Sequence, residues 1–442
     1  MMVNEMSSSR FSALPALLLA VFLLAIAGGC RRGGTPDGRI TIRYMAWGNP
    51  AQLQVERQIV SEFEKRHPNI RVHLFMVPGS SYLDKLQLML ASRTAPDVFR
   101  VDQYYFPAIV RKGYFLPLDP LIAEEPPGFL DDFVPIALDE GRYQGKLYGM
   151  NVLFGAMMIY YNKDLFRQAG LPDPYELDKQ GKWSWDAFVD AARKLTVKDS
   201  SGRIRQFGTT VPSFPMYSSV VWNEGGDFMN PDMTRMLIAD DPRAVAAVQK
   251  LADLRWKYHC APTPADSALS AFTFESGKIA MVWGWAGESP RYRNSIRSFK
   301  WDIAPVPSGP AGSYSVVKGN QLCINALTKH SREAWEFVKF MTGPEAELLL
   351  CGKLRRAVPT RLSVQRHPEY LKADEPPYHT DVFLESVRRG RRLPIDWRYQ
   401  EWVHMYHSAT EALFNVNVTD AKTALADAQG RVNRTLSGEE GF

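Results

Sequence analysis

The sequence is poor in cysteine, which limits both disulfide and metal chemistry. Only four cysteines occur in 442 residues. Cys260, Cys323 and Cys351 are far apart and form no C-x-x-C pair, so neither a zinc site nor a redox site is predicted. At most one disulfide can form among these three, and their spacing leaves the pairing open. We expect three buried thiols instead.

Catalytic signatures are also missing. The sequence holds no G-x-S-x-G, no H-E-x-x-H, no phosphate-binding P-loop and no G-x-G-x-x-G. His404 and His407 lie one helical turn apart, but no recognisable third ligand accompanies them, so we predict no metal site. Adjacent carboxylates such as Asp131 and Asp132 are too common to identify a catalytic pair. A glycan-active enzyme therefore stays open only as an alternative.

The chain has no large excess of one charge. Its formal net charge is +5, and 23% of its residues are charged. The densest basic run is "RRGRR", residues Arg388 to Arg392, which we interpret as a solvated surface loop. The sequence gives little reason to expect a nucleic-acid partner.

A long apolar stretch stands at the N-terminus. The segment "FSALPALLLAVFLLAIA" suits the hydrophobic region of an export signal, is short for a bilayer span, and leads into "AGGC". It resembles a bacterial lipoprotein signal, which implies a signal peptide over residues 1–29 and a lipid on Cys30. Residues 30–38, which include "RRGGTPDG", are then a flexible tether. An uncleaved membrane anchor is the alternative.

Hydrophobic periodicity predicts alternating strands and helices from about Arg39 onward. Strands are indicated by "ITIRYMAW", "IRVHLFMV" and "DVFRVD", with helical segments between them. This β-α-β-α-β order predicts a mainly parallel sheet, whose ligands bind at the carboxyl ends of the strands. Trp47 and Asn49 follow the first strand, and Asp102 and Tyr104 follow the third. Later, capping residues predict helices that begin at Ser184, near Asp241 and at Ser331, and a terminal helix is amphipathic.

The stretch "GKIAMVWGWAGES", residues 277–289, sets Trp283 and Trp285 at the end of a predicted strand. Aromatic side chains dominate protein cores, so both rings are candidates for the core. Rings at a strand end are also candidates for a flat surface against which a ligand stacks. The stretch alone leaves both interpretations open.

Six segments follow one another along the chain. They are "FEKRHPNIRVHLFMV", "YLDKLQLMLASRTAPDVFRVD", "KGYFLPLDPLI", "YGMNVLFGAMMIYYNKDLF", "WNEGGDF" and "FESGKIAMVWGW". Their order resembles that in the extracellular solute-binding proteins of ABC importers, and within these the chain is most similar to the sugar-binding group that includes maltose-binding protein.

The resemblance implies an α/β, two-lobed periplasmic-binding-protein-like fold of type II, with a hinge between the lobes and the ligand in the cleft. The N-terminal lobe would take residues 39–150 plus 303–342. The C-terminal lobe would take residues 151–302 plus 343–442. Closure of the hinge would present the loaded form to the permease.

The resemblance also implies residues of the ligand site. Trp283 or Trp285 matches an aromatic position of the second lobe, Trp222 matches another, and Asp102 matches a carboxylate that accepts hydrogen bonds from hydroxyl groups. Further candidates at strand ends and in loops are Trp47, Asn49, Tyr104, Glu288, Asn320 and Trp397. Asn151 and Phe154, in "NVLFGAM", depart from many relatives, which leaves the identity of the substrate open.

The expected protein is a monomeric, lipid-anchored carbohydrate receptor without catalysis or a cofactor. Its partners would be a sugar, the transmembrane subunits of an ABC permease and, through the lipid, a cell membrane whose periplasmic or exterior side it faces. One alternative is a receptor for another small polar solute, such as a polyol phosphate or a peptide. The other is a secreted glycan-active enzyme.

Overall fold

The computed structural model describes residues 38–48, 50–268 and 271–438. The predicted signal peptide 1–29, Cys30 and nearly all of the tether 30–38 lie outside these ranges, as does Asn49. Within the ranges, no helix is both long enough and apolar enough to cross a bilayer.

The strands of the described chain fall into one large sheet and two small hairpins. Their bounds are β1 Ile40–Trp47, β2 Ile70–Val77, β3 Val98–Asp102, β4 Arg142–Tyr143, β5 Lys146–Leu147, β6 Gly149–Asn162, β7 Val197–Lys198, β8 Ile204–Gln206, β9 Met281–Trp285, β10 Trp301–Ala304, β11 Ser315–Ile324 and β12 Gly390–Arg392.

Helices connect the strands and cover the sheet. In chain order, the α-helices are Pro50–Arg66, Gly79–Ala91, Phe106–Val110, Asp119–Ile122, Pro135–Asp139, Lys163–Gln168, Pro174–Lys179, Trp185–Lys194, Ser218–Asn223, Pro242–Trp256, Pro264–Ala268, Ser289–Ser295, Ser331–Met341, Pro344–Glu347, Leu362–Gln365, Pro368–Leu371, Asp381–Arg388, Tyr399–Glu411 and Ala421–Ser437. A 3₁₀ turn spans Ala286–Glu288, and π-helical turns span Leu348–Lys353 and Ala412–Val416.

The predicted β-α-β-α-β start of the fold is confirmed. β1 pairs in parallel with β2 along its whole length and with β3 at Tyr44 and Met45. The predicted helix starts are confirmed as well. Ser184 accepts a hydrogen bond from the backbone N–H of Ala187, and Asp241 accepts one from that of Arg243.

The long strand β6 joins the two halves of the sheet. Its first half, Gly149 to Ala156, pairs antiparallel with β11, which in turn pairs antiparallel with β3. Its second half, from Met157 onward, pairs with β9 and β10. One strand thus extends the sheet from β1, β2 and β3 to β9 and β10.

Buried side chains gather on both faces of β6. From its second half, Met157, Ile159 and Tyr161 belong to the cluster that contains Trp183, Phe188 and Trp402. The alternate residues Met158 and Tyr160 belong to another cluster, which contains Tyr44 and Phe337 together with Leu350, Tyr370 and Phe383 from the segment after residue 343. The lobe boundaries, 39–150 plus 303–342 and 151–302 plus 343–442, stay predictions.

The expectation of three buried thiols is confirmed. Cys260, Cys323 and Cys351 are free and buried. Burial raises the pKa of all three thiols, that of Cys260 to about 12, which keeps them protonated and unreactive at neutral pH.

The interpretation of "RRGRR" as a solvated loop is wrong. Gly390 to Arg392 form β12, which pairs in parallel with β11 at Ser315 to Val317. The strand tolerates its charge because distant carboxylates pair with it. For example, the guanidinium of Arg391 donates to Asp227, 164 residues away in sequence.

A charged cluster lies buried under β1 and β3. Arg100 donates to the carboxylate of Glu56 at 2.5 Å and to the hydroxyl of Tyr44 at 2.8 Å, and the Arg100–Glu56 pair is fully buried. Arg356 approaches the same carboxylate at 3.6 Å. Glu56 is therefore the carboxylate shared by two buried guanidinium groups, and breaking such a pair costs far more than breaking an exposed one.

We predict that Glu56→Gln lowers the free energy of unfolding by about 3–5 kcal/mol, because both guanidinium groups stay buried without a counterion. The matched control on the same helix is Glu62→Gln, whose carboxylate pairs with Lys65 in solvent and should cost at most about 1 kcal/mol. Denaturant unfolding measures both. Equal losses in the two variants would contradict the prediction.

Candidate functional site

Charged and aromatic side chains meet where β3 and β11 lie side by side. The carboxylate of Asp102 accepts a hydrogen bond from the ammonium of Lys318 at 2.6 Å. That ammonium lies 4.2 Å from the ring centroid of Tyr104 and 6.0 Å from that of Trp285. Asn320 is the register partner of Asp102. We call Asp102, Tyr104, Trp285, Lys318 and Asn320 the central cluster.

The strands explain this convergence. Side chains alternate along a strand, so Lys318 and Asn320 point to the same face of β11, toward the end of β3. Asn320 brings a side-chain oxygen that is buried and has no hydrogen-bond partner. Sequence reasoning missed Lys318, although it was available as the one charged residue of this strand, two positions before Asn320.

Tyr104 connects the cluster to the C-terminal part of the chain. Its ring stacks on Tyr399, with the centroids 5.4 Å apart and the planes at 17°. The amide of Gln400 donates to the backbone carbonyl of Tyr104 at 3.2 Å. Nearby in sequence, Trp397 is 41% exposed and holds the Arg111 guanidinium 3.8 Å from its ring centroid. The segment 397–400 therefore contacts the loop and helix that follow β3.

A cavity of about 420 Å³ lies beside Asp102, at the carboxyl ends of β1 and β3. Trp47, Ser80, Tyr82 and Tyr105 are among its lining residues. This is the edge at which a parallel sheet is expected to bind its ligand. Of the candidates taken from strand ends, Trp47 and Asp102 line this cavity, Tyr104 belongs to the central cluster, and Asn49 lies outside the described residues.

Beneath the cluster, a buried carboxyl supports the crossing strands. Glu140 accepts a hydrogen bond from the side-chain amide of Asn151 at 3.1 Å. Asn151 fits against β11 only because residue 319 is glycine, since a Cβ there would lie 1.7 Å from the Asn151 oxygen. Burial raises the pKa of Glu140 to about 7, although the Asn151 hydrogen bond and the charges of Arg392 and Lys318 act to lower it.

The two tryptophans of "GKIAMVWGWAGES" differ in environment. Trp283 is only 5% exposed and packs edge-to-face on Phe188, so it is a core residue. Trp285 ends β9, is partly exposed and faces Lys318.

The remaining candidates, Trp222 and Glu288, contact residues outside the central cluster. Trp222 is buried, donates to Asp227 at 3.3 Å and has the guanidinium of Arg391 4.8 Å from its ring centroid. Glu288 pairs with Arg291 at 2.9 Å. Among the residues that the structure describes, no group of three or more His, Cys, Asp and Glu side chains is arranged to hold a metal ion.

Comparisons with known proteins agree with this architecture. A family model described as "Bacterial extracellular solute-binding protein" matches residues 47–348. The arabinooligosaccharide-binding protein of Bacillus subtilis is 24% identical over 347 residues, which cover 74% of this chain and 76% of the relative. An uncharacterized lipoprotein of Streptomyces antibioticus is 26% identical over 345 residues, which cover 74% and 72%.

A solved structure extends the likeness to nearly the whole chain. The ABC substrate-binding protein of Listeria monocytogenes in complex with cycloalternan superposes with a TM-score of 0.79 at 26% identity, covering 90% of this chain and 99% of that protein. The expected two-lobed α/β fold is confirmed by this match. The family match alone spans more than half of the 442 residues. The chain therefore belongs to the family of bacterial extracellular solute-binding proteins.

Proposed function

We propose that this protein is the sugar-binding component of an ABC importer. The observation that carries the proposal is the central cluster, in which an ion pair lies between two aromatic rings beside a buried, unpartnered amide oxygen. The complex of the Listeria protein with cycloalternan and the name of the Bacillus relative support a saccharide as the ligand.

The chemistry of sugars fits this set of groups. A sugar has apolar C–H faces and a rim of hydroxyl groups, so it needs flat aromatic surfaces and planar polar partners. Trp285 and Tyr104 supply ring surfaces. Asp102 and Asn320 accept hydrogen bonds from hydroxyl groups, and Lys318 donates to hydroxyl oxygens.

Capture proceeds by closure of the hinge around the ligand, and the closed form is the one that the permease subunits receive. The protein acts as a monomer, carries a lipid on Cys30 and faces the periplasm or the cell exterior. The lipoprotein among its relatives supports the anchor. It binds sugars without converting them, which the binding-protein family and the named binding protein among its relatives support.

A ligand screen tests the function. The mature domain without the signal peptide is melted in the presence of neutral sugars, polyol phosphates, amino acids and peptides. We expect a saccharide to raise the melting temperature, because a ligand that binds only the folded state stabilises it. Chromatography of the bound sugar should recover it unchanged. Stabilisation by peptides or polyol phosphates alone, or turnover of a glycan, would contradict the proposal.

The two tryptophans form a matched pair for a second prediction. Trp285→Ala should melt close to wild type and bind the saccharide at least about thirtyfold more weakly, since losing a stacked ring costs about 2 kcal/mol of binding. Trp283→Ala should instead lose about 3–5 kcal/mol of folding stability. Calorimetric titration and thermal melts on the same samples separate the roles. Unaltered affinity in Trp285→Ala would remove that ring from the site.

Glu140 predicts how stability depends on pH. The folded protein keeps this carboxyl protonated up to about pH 7, whereas the unfolded chain releases the proton near the ordinary value of 4.5. The free energy of unfolding should therefore fall as the pH rises from 4.5 through 7, by about 3 kcal/mol from this group. Glu140→Gln should flatten that decline.

The control for Glu140→Gln is the neighbouring, solvent-exposed Asp139→Asn, which removes the same charge. Urea unfolding of both variants between pH 5 and pH 8 makes the comparison. Asp139→Asn should follow the wild-type profile. If Glu140→Gln also followed it, Glu140 would not be the group responsible.

A further inference from the structure

The arginines of the "RRGRR" run have different environments. The guanidinium of Arg388 lies 3.4 Å from Glu385, and Arg389 pairs with Asp178 and Glu385. Arg391 pairs with Asp227. Arg392 is exposed, and its guanidinium makes no hydrogen bond or ion pair with any residue of the described ranges. Arg388, Arg389 and Arg391 are therefore paired with carboxylates of the described chain, and Arg392 is not.

Arg392 is one of the residues that line a cavity. The volume of the cavity is about 510 Å³, and its walls also include Trp222, Asp227, Met233 and Arg391. The side chain of Arg391 covers the Trp222 ring and is held by Asp227, so its charge is already matched. The cavity therefore combines apolar and polarizable walls, the matched pair of Arg391 and Asp227, and Arg392, which makes no direct ion pair within the described ranges.

This cavity lies next to the central cluster. Arg392 is the register partner of Val317, the residue just before Lys318 on β11. From Arg392 the chain continues through Leu393 and Ile395, which also line the cavity, to Tyr399, which stacks on Tyr104. Both Arg392 and Lys318 act on the carboxyl of Glu140, which agrees with their closeness.

We propose that this cavity binds an anionic substituent of the saccharide, a carboxylate or a phosphate, with the guanidinium of Arg392 donating to its oxygens. The inference rests on the proposed function and specifies its substrate class. A guanidinium is planar and offers paired N–H donors that match two oxygens of a carboxylate or phosphate, and such charge-assisted hydrogen bonds are the strong ones. The sugar ring that carries the group would lie against the methionine side of the cavity.

The test uses paired probes on the mature protein. Oligogalacturonate, alginate oligomers and glucuronate-bearing xylan oligomers are each compared with their carboxyl-reduced, neutral forms, and glucose 6-phosphate is compared with glucose. The uronate pairs report on a carboxylate and the phosphate pair on a phosphate. Melting shifts identify the ligands, and calorimetric titration gives their affinities.

The variants are Arg392→Gln and the control Arg388→Gln, which removes an equal charge from the same run outside the cavity. We expect at least one acidic probe to bind more tightly than its neutral form. Arg392→Gln should weaken that binding by at least about tenfold and leave neutral binding within about twofold. Arg388→Gln should change neither. Both variants should melt near wild type without ligand.

Two results overturn the inference and leave the proposed function standing. Either only neutral saccharides bind, or Arg392→Gln weakens acidic and neutral probes equally. If no saccharide of either kind binds, the proposed function fails, and the inference fails with it. If Arg388→Gln also lost selective binding of the acidic probe, the selectivity would come from the net positive charge of the run and not from the cavity. That result would likewise overturn the inference.

Discussion

The pairing of β6 with β11 is the constraint on which the rest of the molecule depends. The first half of β6 pairs with β11 and its second half pairs with β9 and β10, so one strand holds the two halves of the sheet together. β11 carries Lys318 and Asn320 past the end of β3 in the same pairing. The close approach of the two strands in turn requires glycine at position 319. The backbone pairing of β11 with β6 and β3 thus both holds the sheet together and positions the candidate site.

Features set by local sequence could be predicted, because their causes lie within a few residues. The alternation in β1, β2 and β3 and the helix caps at Ser184 and Asp241 are of this kind. The secondary structure of the arginine run could not be predicted in this way. Its partners Asp178 and Asp227 are far away in sequence, and only the tertiary fold turns a run of charges into a strand of the sheet.

The candidate site was predictable in part for the same reason. Asp102 ends a strand that the pattern identifies, and Tyr104 follows it. Asn320 lies beside Asp102 on the paired strand β11. The partner of Asp102, Lys318, depends on antiparallel pairing between segments 216 residues apart. Trp283 and Trp285 share one face of β9, so alternation does not separate them. Their difference comes from position along the strand, since Trp285 ends β9 at the edge of the packed interior.

The pairing of β6 with β11 is irregular at one point, where the register shifts between Asn320 and Gln321. A bulge interrupts the ladder, bends the strand and increases its local twist. Both strands continue on either side of the shift, so the irregularity is confined to one step of the ladder. Asn320, whose buried amide oxygen has no hydrogen-bond partner in the described chain, lies at that step. The one departure from regular pairing between β6 and β11 therefore falls at a residue whose side chain still has an acceptor to offer.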